Sequence, residues 1–249
     1  MAKTKTNQEE EKVSYLNGHE GEGFENLTAA DYAVPFLRIL QLLSPQVNKN
    51  SPDYITGAEP GMFFNTVTEK LYGNEVNLIP LTFQKVWLEW LPDRGGLTGK
   101  HEPYSIKINK SDFSNWKTPG GNTISECLLF YCLVIGHLED GPLVFSLFSS
   151  GIKHGKNWNT QIMLTHLPNG KKAPYFSSVW KLKTVLNKNQ MGEWYQIGEK
   201  KTAIFRKRFV TEKEFNNFVL PGKNVLSAIK ELDYTQLEDK VDTEQDVPY

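Results

Sequence analysis

Val76-Asn-Leu-Ile-Pro-Leu-Thr-Phe-Gln-Lys-Val-Trp-Leu-Glu-Trp-Leu91 is the stretch on which the fold turns. Val76 and Leu78, then Leu81 and Phe83, then Val86, Leu88 and Trp90 alternate with polar residues, the period of a half-buried strand. The apolar phase slips at Pro80 and again near Lys85. Slips of this kind mark bulges or sharp bends, as in a strand that curls round a barrel.

On the N-terminal side, Gly73-Asn74 predicts a hairpin turn back to strand material at Met62–Val67. Further back, a helix is expected from Tyr32 to Leu43, capped by Thr28 or Asp31, interrupted near Pro35 and closed by Ser44-Pro45. On the C-terminal side, a long loop over 92–123 leads into a mostly apolar central strand, Ile124–Gly136. Leu138-Glu-Asp-Gly141 turns the chain back into Leu143–Phe148. Ser149 or Ser150 then caps a helix carrying Ile152, Trp158, Ile162 and Met163, with Lys153, Lys156 and Asn159 on its other faces. Short strands are expected around Tyr175–Trp180, Trp194–Ile197 and Ala203–Val210. Thr211-Glu-Lys-Glu214 fits a capping box for a terminal helix, broken at Pro221-Gly222 and resumed to about Leu232. The fold class is mainly β with helical additions. Residues 28–230 are expected to form one domain, between a disordered acidic segment over 1–27 and an acidic tail over 231–249.

The chain has 249 residues, enough to bury a substantial core. No stretch approaches the roughly 18–20 apolar residues of a membrane span, and the start lacks the apolar core of a signal peptide. A cytoplasmic location is expected. Cys127 and Cys132 lie five positions apart on the central strand and therefore point to opposite faces, which predicts buried thiols and no disulfide between them.

Charge is unevenly placed. The chain carries 28 basic and 29 acidic residues, yet 1–31 has a net charge of −4, 231–249 one of −6 and 32–230 one of +9. Most of the excess falls in 150–210, with twelve Lys/Arg against Glu193 and Glu199. A basic body between acidic ends suits a protein that binds a polyanion.

Lys171 to Phe209 interleaves cations with rings: Lys171, Lys172, Tyr175, Phe176, Trp180, Lys181, Lys183, Trp194, Tyr195, Arg206 and Arg208. Single-stranded nucleic acid calls for this combination, because cations track phosphates while rings stack on unpaired bases at roughly 1–3 kcal/mol each. On a strand pair about half of such rings belong to the core, and a Lys-rich face can simply be solvated. Lys153, Lys156 and Trp158 of the expected helix, with Lys107 and Trp116 of the long loop, complete the candidate binding set. No G-x-x-x-x-G-K-[ST], G-x-S-x-G or metal-ligand histidine spacing occurs, so no cofactor, metal or catalytic residue is assigned.

The tail ends Asp246-Val247-Pro248-Tyr249, a tip of ring, proline and carboxylate that a partner's pocket can capture. With this tip and charge layout the chain resembles replicative single-stranded DNA-binding proteins of bacteria and tailed phages. Their acidic tails commonly end in an Asp-Ile-Pro-Phe-like sequence. The resemblance implies an OB-fold-like five-stranded barrel with long insertions and flanking helices. It also implies sequence-independent coating of single-stranded DNA in replication, recombination and repair, in the host cytoplasm if the gene belongs to a phage. Asp242, Glu244, Asp246, Val247, Pro248 and Tyr249 would recruit replication or recombination proteins, and the tail would compete with DNA for the basic groove. No membrane partner is expected, and a homodimer stays open. Two other readings also stay open: a metal-dependent nuclease, and a scaffolding protein whose tail only solubilises. Competition predicts that deleting residues 231–249 strengthens single-strand binding at low salt, measured by titration with a thymidine oligonucleotide; unchanged affinity contradicts it.

Overall fold

The computed structural model describes residues 33–92, 96–101, 116–118, 120–190, 192–198 and 204–231, together with 18, 22 and 23, and of 227–231 it describes the backbone alone. The molecule is built on one long antiparallel pair. β4 (Glu75–Trp90) and β6 (Thr123–Val134) run together from Leu78↔Val134 to Trp90↔Thr123. β7 (Leu143–Leu147) adds to the outer edge of β6. On the other edge β4 changes neighbours midway. Glu75 to Leu78 pair with β8 (Ser178–Asn189), whereas Trp87 to Trp90 pair with β5 (Leu97–His101). β8 in turn carries β9 (Gly192–Ile197) and β10 (Ile204–Phe209).

The strand order is β10-β8-β4-β6-β7, and among the described residues the end strands β7 and β10 do not pair with each other. The fold is mainly β, as expected, but the sheet is open, which corrects the expected five-stranded barrel. Closure is one way for a sheet to bury its faces; here helices cover both faces instead.

The reading of Val76–Leu91 holds at one slip and not at the other. The register with β6 shifts between Pro80 and Thr82, a bulge at the proline, where a missing N–H is tolerated. No shift occurs at Lys85, and pairing is continuous from Thr82 to Trp90. The second apparent slip arises because apolar residues occupy both faces: Phe83 packs with one core and Val86 with the other.

Those two cores sandwich the sheet. Helix α1 (Gly151–Met163) lays Trp158 and Ile162 over Leu128, Phe130 and Cys132. The opposite face packs Cys127, Leu129, Tyr131 and Leu133 with Val219 and Leu226 of the terminal helical segment. The two thiols are thus buried, unpaired and on opposite faces, and burial pushes both pKa values up. Each helix approaches through a glycine. A Cβ on Gly155 would stand 2.7 Å from Leu128 Cδ1 and 3.2 Å from Phe130 Cε2; one on Gly222 would stand 3.2 Å from Leu81 Cδ1.

The terminal segment opens with the expected capping box, Thr211 with Glu214. The expected break at Pro221-Gly222 does not occur. A π-helical turn over Phe215–Val219 runs directly into α2 (Leu220–Glu231). Pro221 follows directly on the π-helical turn, Gly222 is the contact point with the sheet, and neither interrupts the helical run. Helix α1 also forms where expected, although Ser150 makes no side-chain cap bond.

The expected helix over Tyr32–Leu43 is instead β1 (Leu37–Ile39), in a three-stranded sheet with β2 (Phe63–Asn65) and β3 (Leu71–Gly73). Phe36 bridges to Val144 on β7 and is buried, as is Leu37, so tertiary burial of both successive residues overrides a helical period. Gly73 consequently turns a corner between the two sheets and does not make a hairpin with β4; its φ of +76° suits glycine. The second chain segment of the expected 92–123 loop that can be followed, Leu97–His101, is strand β5.

The close approach at Gly155 gives a direct test. Gly→Ala in a helix interior ordinarily stabilises by about 1 kcal/mol. Gly155→Ala is expected to reverse that sign and destabilise by about 1–2 kcal/mol through overpacking, measured by urea unfolding.

Candidate nucleic-acid interface

The ring-and-cation stretch supplies β8, β9, β10 and the loop before them, and the fold sorts its residues sharply. Trp158 and Trp180 are fully buried, with Trp158 stacked on Phe130 at 4.6 Å between ring centres and edge-on to Trp180 at 6.4 Å. Both belong to the core beneath α1 and are corrected from the binding set. Tyr175 is half-buried; its hydroxyl donates to Asn159 at 2.7 Å, and burial raises its pKa. Phe176 is half-buried against Phe215, with the Lys223 ammonium 4.4 Å above its ring. Trp194 and Tyr195 are half-buried on β9, where Tyr195 packs on Gly61 and its backbone pairs with the Gln41 amide at 2.8 and 2.9 Å. Phe205, which the sequence reading left out of the binding set, is the exposed ring of β10.

The cations divide into two groups. Lys181 and Lys183 both pair with Glu75, whose pKa they lower. Lys156 pairs with Glu126 at 3.4 Å. Arg208 grips Glu214 with two bonds of 2.7 Å. These four are paired within the chain, although Lys181 and Lys183 share one carboxylate and Lys156 shares Glu126 with Lys85. Lys171, Lys172, Arg206 and Lys207, by contrast, are exposed and make no ion pair among the described residues. Lys153 is exposed on α1.

Two of these four lie in the loop that follows α1 and two on β10. After α1 the chain folds back on itself: Ala173 N–H donates to Thr165, Leu167 N–H donates to Lys171, and His166 bridges to Lys172. Across from this loop is β10, an edge strand of the sheet, with Arg206 paired directly opposite Trp180. A shallow groove of about 460 Å³ lies between them, lined by Gln161, Leu164, Thr165, His166, Trp180 and Arg206. No carboxylate lines it. Phosphate contact is therefore better provided for here than base stacking.

The second expected surface has a different character. Trp116 is half-buried and rests on Trp87 at 4.5 Å, with the Lys85 ammonium 4.9 Å from the Trp87 ring. Lys85 pairs with Glu126 at 2.8 Å. Glu89 accepts from Asn122 and meets His101, both at 2.7 Å; Asn122, then His101, hold its carboxyl below the usual range. Carboxylates balance the cations on this face. Lys107 and the tail residues Asp242, Glu244, Asp246, Val247, Pro248 and Tyr249 lie outside the described residues.

A third cluster bears on metal chemistry. His137, Glu139 and Asp140 bring ligand atoms within 4.8 Å of one another. The Lys70 ammonium sits on them, 3.2 Å from Glu139 and 3.0 Å from Asp140, and the Tyr72 hydroxyl donates to Asp140 at 2.6 Å. Burial opposes the Asp140 charge, but Tyr72 and Lys70 overcome it and lower the pKa. The chain's own ammonium thus takes the place of a cation.

The family model described as Pam3 phage gp34-like protein matches residues 4–223. No curated protein matches. No solved structure matches.

Arg206 and Arg208 are two positions apart but differently engaged, and substitution separates them. Glu214, held by Arg208 at a pKa of about 2, stabilises the fold above pH 4.5, and that stability is lost as pH falls from 4.5 towards 2. Arg208→Ala is expected to cost about 1 kcal/mol at pH 7, after allowance for its exposure, and to flatten the loss between pH 5 and 2. Arg206→Ala is expected to change stability by less than about 0.5 kcal/mol, measured by urea unfolding across that range.

Proposed function

The chain belongs to the Pam3 phage gp34-like protein family, and from the distribution of its charges we propose that it binds single-stranded DNA without sequence preference. The observation that carries the reading is the segregation of cations. Every other lysine or arginine of the ring-and-cation stretch on β8, like Arg208, is paired with a carboxylate, whereas Lys171 and Lys172 in the loop after α1, and Arg206 and Lys207 on β10, have none among the described residues. A set of uncompensated cations is electrostatically unfavourable for the protein alone and is relieved by a polyanion that releases its counterions on binding.

Stacking is the smaller part of this mechanism. Trp158 and Trp180 serve the core, so base contacts fall to Phe205 and, at most partly, to Trp194 and Tyr195. The protein acts by coating and protecting the strand, without catalysis, during replication, recombination and repair in the host cytoplasm. Its acidic tail recruits replication or recombination proteins and competes with DNA for the same four cations.

The test is a titration with a thymidine oligonucleotide and with duplex of equal length at several salt concentrations. Four phosphate contacts give a slope of log affinity against log salt of about −3 for a single strand. Changing Lys171 and Lys172 together to Ala is expected to reduce its magnitude by about 1.4, with duplex bound more weakly throughout. An unchanged slope contradicts the placement of the interface.

A further inference from the structure

We infer that the groove between the end of α1 and β10 is a built seat for one phosphate ester, and that Arg206, His166 and Gln161 hold it. The inference rests on the single-strand reading and adds residues and a defined locus to it.

The groove's chemistry is that of a donor-rich site. Arg206 contributes a guanidinium whose ring partner, Phe209, lies 4.5 Å away and takes none of its five N–H donors in the way a carboxylate would. Phe209 instead supports the guanidinium plane, as a pre-organised phosphate clamp requires. His166 is fixed locally: its Nδ1 lies 2.9 Å from the Leu164 carbonyl, which can only accept. Nδ1 therefore donates in that bond, and Nε2, the other ring nitrogen, holds a phosphate oxygen only when it too carries a proton. The Gln161 side-chain amide has no partner among the described residues and adds two donors. Trp180 lines the groove, is buried, and its indole N–H has no hydrogen-bond partner among the described residues.

The groove is shallow, with a volume of about 460 Å³, so a nucleotide seated in it keeps part of its surface in water. Exposed Leu164 gives the groove an apolar wall on which the sugar or base of the same nucleotide can rest. Thr165 is spoken for, its hydroxyl donating to the Gln161 carbonyl at 2.9 Å, which ties the last turn of α1 to the groove wall. Lys207, exposed on the same strand, does not line the groove and meets a phosphate of the strand outside it. A phosphate in this place is the fixed point from which a strand runs along β10 in one direction and over Lys171 and Lys172 in the other.

The test uses the full chain labelled with nitrogen-15 at its tryptophan indoles, with the Trp180 signal identified from Trp180→Phe. Thymidine 5′-monophosphate is expected to shift that signal saturably, and thymidine at equal concentration is not. Arg206→Ala is expected to weaken the monophosphate at least tenfold and Gln161→Ala severalfold, while Lys207→Ala stays within twofold. An oligonucleotide titrated into the same sample separates the two claims. If it binds while the monophosphate leaves Trp180 unmoved, the groove assignment falls and the single-strand reading stands. If the monophosphate binds and the oligonucleotide does not, the single-strand reading falls and the groove is a seat for a free nucleotide phosphate. Equal shifts with thymidine, or an Arg206→Ala protein that binds undiminished, overturn the assignment.

Discussion

The pairing of β4 with β6, buried on both faces, is the constraint on which the rest depends. Leu128 to Val134 present apolar side chains to each side in turn, and each side needs a cover. Helix α1 and the terminal helix supply the covers, and both come close enough to require glycine, at 155 and at 222. The consequence reaches the surface. Covering the face beneath α1 draws Trp158 and Trp180 inward, so the rings that composition offers for base stacking are largely spent on the core. What remains outside, between the end of that helix and the edge strand β10, is cationic.

Local signals in the sequence were legible where one residue's chemistry decides. Thr211 and Glu214 make their capping box, Pro80 makes its bulge, and the spacing of Cys127 and Cys132 puts them on opposite faces. Signals that depend on partners distant in sequence were not. Phe36 and Leu37 are a strand entrance because β7 and β2 lie alongside, which no local period records. The open sheet follows from two covered faces, whereas a strand with phase slips reads equally as a barrel wall. The same holds at the candidate interface. Lys181, Lys183 and Arg208 read as binding cations until Glu75 and Glu214 are seen to hold them. His166 and Gln161 carried no sequence signal, since their role comes from facing β10 across the groove.

Cations on an edge strand have a second physical use, because charge keeps an exposed edge from pairing with other sheets. That accounts for Arg206 and Lys207. It does not account for Lys171 and Lys172, which lie in a loop that folds back beside α1, nor for the absence of any carboxylate among the groove's lining residues. Binding of a polyanion explains both groups together. The near-neutral total charge of the chain conceals this arrangement, since the acidic excess is confined to its two ends.

The most direct measurement of the central claim is hydrogen exchange with and without a thymidine oligonucleotide. The account predicts that protection concentrates in peptides covering 161–172 and 204–209, and that the β4–β5 face around Trp87 changes little. Protection centred on that face, or none at either place under saturating oligonucleotide, would contradict it.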